Sequence, residues 1–132
     1  MRSRRDDIDW AAAVRRALEL GVCGMGAADD ERAGRRLERF EAAPTGSFVW
    51  TRDGGGHTYV GRLTGSLRTD PRGAPVGLVH VRDCEWSATP VEPLLIPSGV
   101  AQTFARGGRN FQQIHTAGVE AETTALWQRL ND

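Results

Sequence analysis

The chain has 132 residues, and its 17 acidic and 17 basic side chains give a formal net charge of zero. Every basic side chain is an arginine, because the sequence contains no lysine. The absence of lysine excludes a phosphate-binding Gly-Lys-Ser/Thr loop, a Schiff-base lysine and lysine-dependent nuclease centres. We attribute the use of arginine alone to coding bias and not to function. Because the net charge is zero, any bound nucleic acid must be attracted by a local basic patch and not by the electrostatic field of the whole protein.

The length predicts one domain, residues 1–132, with a helical part at 1–44, a β-meander at 45–97 and a second helical part at 98–132. No apolar run approaches the ~20 residues of a membrane helix, and no apolar segment follows the basic start, so we expect no secretory signal and a cytoplasmic location. Cys23 and Cys84 match no metal spacing and are expected to be buried thiols and not a disulfide.

The first predicted helix is capped by Asp7 or Asp9, runs to Leu20 and is closed by Gly21. Its apolar residues recur at helical spacing and include Trp10, which is expected to lie in the core.

Residues 22–28 predict a short strand or loop in which glycine backbone approaches another segment closely, and they do not complete a dinucleotide-binding fingerprint. The second predicted helix runs from 30 to 43, is capped by the acidic cluster at 29–31 that includes Asp30, and ends before Pro44. One of its faces carries four arginines: Arg32, Arg35, Arg36 and Arg39. We expect these to be solvated and paired with Glu38 and Glu41, in preference to a binding role.

The central part of the chain reads as a β-meander. Residues 47–52, 57–65 and 76–86 are rich in β-branched and aromatic side chains, and the breaks between them carry the glycine, aspartate and proline of tight turns. Gly61 and Gly65 indicate bulges or bends, which a curved sheet needs. Apolar residues on both faces predict a sheet that is covered on both sides, by itself within and by the helices without.

The last third is predicted to contain three elements. Residues 94–96 form a short edge strand within a proline-rich stretch. A brief helix capped by Ser98 runs to about Arg106, and a final helix at 119–130 packs through its apolar side chains, namely Leu126, Trp127 and Leu130.

The loop after the brief helix is the most site-like segment in the sequence. It consists of Arg106, Gly107, Gly108, Arg109 and Asn110. Glycines let backbone amides approach an anion, and arginines donate paired hydrogen bonds to phosphate, so these residues are phosphate-binding candidates. Ordinary capping of a helix end by glycine explains the same pattern equally well.

No catalytic pattern is recognisable. His57, His80 and His115 occur singly, without the spacing of a metalloprotease helix or a nucleophile elbow. Cys84 lies between two acidic residues, which raise the pKa of a thiol and make a reactive thiolate unlikely to form. We therefore expect a non-enzymatic protein with no cofactor and no metal.

The meander includes the segments Tyr-Val-Gly-Arg-Leu-Thr-Gly at 59–65 and His-Val-Arg-Asp-Cys-Glu-Trp at 80–86. They follow a tryptophan-bearing first helix, a glycine-containing piece at 19–26 and a strand beginning at 46–49. In this order they resemble the EVE-like, PUA-related small β-barrels that precede restriction endonucleases of the Mrr and McrB kinds. The resemblance covers about residues 10–114. It implies an α+β fold, with an antiparallel β-barrel flanked by two N-terminal helices and one or two C-terminal helices.

The resemblance also implies a function. Such domains read modified nucleic acid by turning a base out of the duplex into a pocket, where stacking and hydrogen bonds offset the cost of unstacking. The base-pocket candidates that it implies here are Trp50, Thr51, Arg52, Gly65, Ser66, Arg68, His80 and Arg82. The expected partners are a nucleic acid, DNA with a modified base in particular, and a separate effector protein such as a nuclease in a restriction or phage-defence system, with no membrane.

The chain departs from the family at three positions where aromatic residues are frequent, which here hold Ala27, Leu67 and Thr69. These departures favour an alternative: an accessory protein-interaction module that keeps the barrel but has lost the base pocket.

Overall fold

The computed structural model describes residues 10–106, 111, 113–114 and 118–131. Its helices are α1 (Trp10–Leu20), α2 (Glu31–Ala42), α3 (Ser98–Ala105) and α4 (Val119–Leu130). Its strands are β1 (Val22–Met25), β2 (Phe48–Arg52), β3 (Thr58–Leu63), β4 (Arg68–Thr69) and β5 (His80–Trp86). Two 3₁₀ helices lie at Pro71–Val76 and Pro93–Leu95. The predicted α+β class, with helices around an antiparallel sheet, is confirmed.

The sheet is organised around β5. Its strand order is β1-β5-β3-β2, every pairing is antiparallel, and β4 also pairs with β5. Leu63 stands opposite Cys84, whereas Arg68 stands opposite Val81. The four residues 64–67 therefore face only the two residues 82 and 83. This bulge contains Gly65, where a bend is predicted, and it lets the sheet curl into a half-barrel.

One face of the sheet packs on the two C-terminal helices. The buried cluster there contains Trp50 and Val60 from the sheet, Phe104 from α3 and Trp127 from α4, among others. The Phe48 ring lies against the Trp127 ring with centroids 5.8 Å apart. Burial of several large aromatic side chains makes this cluster the main apolar contribution to stability.

The rest of the sheet is covered by the two N-terminal helices. Phe40 of α2 packs against a cluster that includes Cys23, Leu63 and Cys84. Ala13 and Ala17 of α1 pack in another cluster with strand residues and with residues of the loop before β5, namely Val22, Leu78 and Val81. The prediction that both faces are covered is confirmed, because period-two alternation sends successive side chains of β2 to different clusters.

Local capping signals set several helix ends where the sequence predicts them. Gly21 follows α1 with a φ of 69°, in the left-handed region that glycine adopts readily. The side chain of Asp30 caps α2 by accepting a hydrogen bond from the Ala33 N–H at 2.7 Å. The predicted caps Asp7 and Asp9 lie outside the described residues.

Two predicted strand segments are wrong. The strand expected from residue 76 begins only at His80, because Asp70 accepts the Arg72 N–H and starts a 3₁₀ helix that closes at Gly77, where φ is 78°. The edge strand predicted at 94–96 is instead a 3₁₀ turn, in which the Leu95 N–H donates to the Glu92 carbonyl.

Two details of the C-terminal helices also differ from the prediction. Ser98 is the first residue of α3 and not its cap, because the Val100 and Ala101 N–H groups donate to the Pro97 carbonyl. In α4, Leu126 and Trp127 are buried as expected, whereas Leu130 is exposed.

Candidate nucleic-acid interface

Trp50, the aromatic residue predicted to stack on a base, lies in the core. Its side chain is 1% exposed and belongs to the cluster with Val60 and Phe104. Thr51, the next candidate, is also fully buried. Both predictions of a pocket-lining role are therefore corrected. The helices α3 and α4 cover the sheet face that carries Trp50, and Thr51, on the other face of β2, is itself buried.

The candidate Arg52 lies at the end of β2, where that strand meets α3. Its guanidinium carbon is 5.2 Å from the centroid of the Phe104 ring, a cation–π contact. Arg106 caps the end of α3, two residues after Phe104. We call Arg52, Phe104 and Arg106 the β2–α3 corner. Two of the predicted arginines thus lie at this end of α3, Arg52 through its contact with Phe104 and Arg106 through its position in the chain, whereas Gly107, Gly108, Arg109 and Asn110 lie outside the described residues.

Arg52 carries an unsatisfied donor at this corner. Its Nε atom is buried, and no hydrogen-bond acceptor for it is found among the described residues. The neighbouring carboxylate is committed elsewhere, since Asp53 Oδ1 accepts the N–H groups of Gly55 and His57, each at 2.9 Å. Partial burial acts to raise the pKa of Asp53, but these hydrogen bonds and the His57 ring outweigh it and lower the pKa.

The candidates in the bulge make internal contacts. The Gly65 carbonyl accepts a hydrogen bond from Arg82 Nε at 2.7 Å, and Arg68 Nη1 lies 2.5 Å from Asp83 Oδ1. Ser66 is exposed, and His80 is half-buried at the start of β5. Arg68 therefore has its charge partly neutralised by a carboxylate on the neighbouring strand.

Arg82 has a structural role in place of the predicted contact with a base. The residue is 2% exposed. Besides the bond to Gly65, its Nη1 donates to the carbonyls of Phe40 at 2.8 Å and Ala43 at 2.7 Å, at the end of α2. A cation at a helix C-terminus satisfies carbonyls that have no partner within the helix and interacts favourably with the helix dipole. Arg82 therefore fixes α2 to the sheet.

The predicted pocket residues do not form one pocket. Arg52 stands opposite Thr58 at the start of β3, whereas Gly65 and Ser66 follow the end of that strand. At ~3.3 Å per residue the two groups are separated by roughly 20 Å along β3, farther than one base can span. The strand length was the signal in the sequence that could have separated them.

The structure confirms that the arginines of α2 are solvated but corrects the prediction that they pair with glutamates. All four are exposed: Arg32, Arg35, Arg36 and Arg39. The ion pairs in the described part of the chain join Arg16 to Asp70, His57 to Asp53, Arg62 to Glu85 and Arg68 to Asp83. The α2 arginines thus make no ion pair with Glu38, Glu41 or any other described carboxylate. We call these four residues the arginine face of α2.

The two thiols are buried and free, as predicted. Burial raises the pKa of Cys23 to about 12, against a smaller lowering by Arg82. Burial, with a smaller effect from Cys23, raises the pKa of Cys84 well above its ordinary value. Neither group is a thiolate near neutral pH, and a thiol is a weak nucleophile.

One aromatic pair was missed by the sequence analysis. The rings of Trp86 and Phe111 lie with centroids 5.9 Å apart, and both residues are half-buried. Trp86 Nε1 donates to the Val22 carbonyl at 2.9 Å, which orients the indole. The position of Trp86 at the end of a predicted strand was available from the sequence, but its contact with Phe111, 25 residues later, was not.

Across the described residues, no cluster of three or more histidine, cysteine, aspartate or glutamate side chains is arranged to hold a metal ion. None of the described helices combines the length and apolar character needed to cross a membrane. Comparison with protein-family models, with curated proteins and with solved structures gives no match to this chain.

Proposed function

We propose that this chain is a non-catalytic nucleic-acid-binding module that contacts phosphate groups at the β2–α3 corner. The observation that carries the proposal is the state of Arg52: its guanidinium is stacked on Phe104, and its Nε donor is buried without an acceptor. A buried donor without a partner is costly, so the internal contacts of the guanidinium are incomplete. The residue as a whole is half-buried, and its accessible part can meet a phosphate oxygen, which is a strong acceptor for a guanidinium. Arg106 caps the same end of α3 and is exposed, so it is a second arginine in reach of a ligand there.

The resemblance to EVE-like domains supports the same class of ligand. In its fuller form the proposal is that the module reads a modified base in DNA for a restriction or phage-defence system, with a separate effector. Because Trp50 is buried, the aromatic residues that would stack on the modified base are the half-buried pair Trp86 and Phe111.

The proposal is tested by fluorescence anisotropy with labelled 20-base duplexes and single strands, with and without methylated cytosine, at 50 mM NaCl. Wild type is expected to bind, and Arg52→Gln and Arg106→Gln are each expected to weaken binding several-fold. Each substitution should also reduce the slope of log K against log salt by about 0.9 for duplex DNA. The matched control is Arg129→Gln, at an exposed arginine in the last turn of α4. Absence of binding by wild type to every probe would overturn the proposal.

A second candidate function is an accessory module that associates through protein contacts. Two observations favour it: the buried indole of Trp50 leaves that residue no part in a base pocket, and Leu94 is 97% exposed on its 3₁₀ turn. Sedimentation velocity tests it. Self-association that disappears in Leu94→Asp, together with no nucleic-acid binding, would favour this function, whereas a strict monomer that binds DNA would reject it.

A further inference from the structure

Helix α2 separates its charges by sign around its axis. At about 100° per residue, the arginine face occupies a sector of about 100°. The glutamates occupy a different sector of about 80°: Glu31, Glu38 and Glu41. The apolar side chains fall in a third sector, which faces the protein: Ala33, Leu37 and Phe40. A neutral chain therefore presents one side of a single helix as a concentrated positive surface.

The positive charge of this surface is uncommitted. The four arginines are exposed and make no ion pair with any described residue, as shown above. In contrast, Arg16, Arg62 and Arg68 each lie within 4.0 Å of a carboxylate oxygen. The arginines with paired charges lie elsewhere, so the arginine face is the largest group of unpaired cations on one described element.

The orientation of this surface is fixed at both ends of α2. Asp30 caps the first turn, and Arg82 holds the carbonyls of Phe40 and Ala43 after the last turn. Since both ends are tied and the apolar sector is packed, the arginine side chains project from a rigid base. A preorganised surface loses less conformational entropy when it binds a ligand.

We propose that the arginine face of α2 is a docking surface for the phosphate backbone of double-stranded nucleic acid. The inference rests on the proposed function and adds to it a second contact surface, separate in the chain from the β2–α3 corner. The four guanidinium groups are spread over about 10 Å of helix, and duplex DNA carries about one negative charge per 1.7 Å of its axis. The separate glutamate sector repels the same polyanion, which restricts the helix to one orientation.

The composition of the surface also specifies the type of contact. Within the sector of the arginine face there is no aromatic side chain for stacking and no amide side chain for reading base edges. Arginine contacts to phosphates fix position but carry no direct sequence information. The surface therefore binds duplexes of different sequence with similar affinity, and any base selectivity must come from another part of the molecule.

The test compares the double variant Arg35→Gln/Arg36→Gln with the matched control Arg15→Gln/Arg72→Gln. Both variants remove two positive charges from exposed arginines, on α2 in the first case and on α1 and the 3₁₀ helix before β5 in the second. Gln is close to Arg in helix propensity, and circular dichroism checks that the fold is retained. The probe is a 20-base-pair DNA duplex of mixed sequence, titrated from 50 to 200 mM NaCl.

The α2 variant is expected to bind about 10-fold or more weakly at 100 mM NaCl, and its slope of log K against log salt should fall by about 1.8, for two lost phosphate contacts. The control should keep the wild-type slope.

Equal losses in both variants, or no loss in the α2 variant, would overturn the inference while leaving the proposed function intact if wild type binds. Failure of wild type to bind would reject both. A salt-sensitive dimer that is lost only in the α2 variant, seen by sedimentation velocity without bound DNA, would assign the surface to a second copy and also overturn the inference.

Discussion

Arginine has opposite roles in two regions of this molecule. Around β5, the Arg82 guanidinium is buried and donates three hydrogen bonds to backbone carbonyls. On the outside of α2, four arginines are exposed and have no described carboxylate partner. The comparison shows that counting basic residues does not locate a binding surface. What matters is whether the hydrogen bonds and the charge of each side chain are already used by the fold.

The largest effect is expected from Arg82→Ala. This change leaves the carbonyls of Gly65, Phe40 and Ala43 without their donor, in a buried site for Ala43 and in partly buried sites for the other two. A buried group left unsatisfied costs ~1–3 kcal/mol. We expect the free energy of unfolding to fall by about 3–5 kcal/mol, as measured by urea denaturation. A loss below ~1 kcal/mol would show that Arg82 does not hold α2 to the sheet.

A smaller effect is expected from Gly61→Ala, on the strand beside β5. A Cβ atom at this position would lie 2.6 Å from Cys84 Sγ and 2.7 Å from Trp86 Cε3. Overpacking of this kind costs about 1–3 kcal/mol. The matched control is Gly34→Ala in α2, where an added Cβ meets nothing within 4 Å. That control should stabilise the protein by ~0.5–1 kcal/mol, because alanine is the better helix former. Equal effects at the two glycines would contradict the assigned packing.

The next largest effect is a pH dependence of the free energy of unfolding, which comes from a contact between two surface side chains. A hydrogen bond from Arg16 Nη2 to Asp70 Oδ2 at 3.0 Å lowers the pKa of Asp70 below its ordinary value of 3.8. The folded pKa is lower than the unfolded one, so this stabilisation is complete above about pH 4 and is lost as the pH falls through the folded pKa. Asp70→Asn keeps the oxygen that accepts the Arg72 N–H. It should reduce stability in urea at pH 7 and make no difference at pH 2, and an equal loss at both values would count against the ion pair.

The smallest effect on folding is expected from Arg35→Gln/Arg36→Gln. Both side chains are exposed and unpaired in the described structure, and such surface changes usually alter the free energy of unfolding by no more than ~0.5 kcal/mol. Urea denaturation should therefore separate this variant from Arg82→Ala by several kcal/mol. A large destabilisation would indicate that the arginine face takes part in the fold.

The sequence predicted those parts of the fold that local signals determine. Asp30 before α2 and Gly21 after α1 are capping signals that act within a few residues, and both are confirmed. Period-two alternation, which is also a local property, places Trp50 and Val49 of β2 in different clusters. The 3₁₀ helix at Pro71–Val76 was missed because apolar composition was interpreted as a strand, although Asp70 and Pro71 are both turn formers.

The candidate site was less predictable, because it depends on contacts between distant residues. Arg82 was available in the sequence as a basic residue on a strand, but its acceptors are 17, 39 and 42 residues away. Trp50 was identified as an aromatic at a strand end, but its burial depends on α3 and α4, which follow about 50 or more residues later.

The bonds that Arg82 makes also tie the last turn of α2 to a strand that comes later in the chain. The last turn of α2 can obtain its guanidinium cap only after β5 has joined the sheet, since that cap comes from a residue 39 to 42 positions later in the chain. Until then, α2 is an isolated helix of 12 residues, a length that is marginal in water. In a nascent chain that has not yet delivered β5, the arginines of α2 are therefore present without the contact that holds their helix to the sheet.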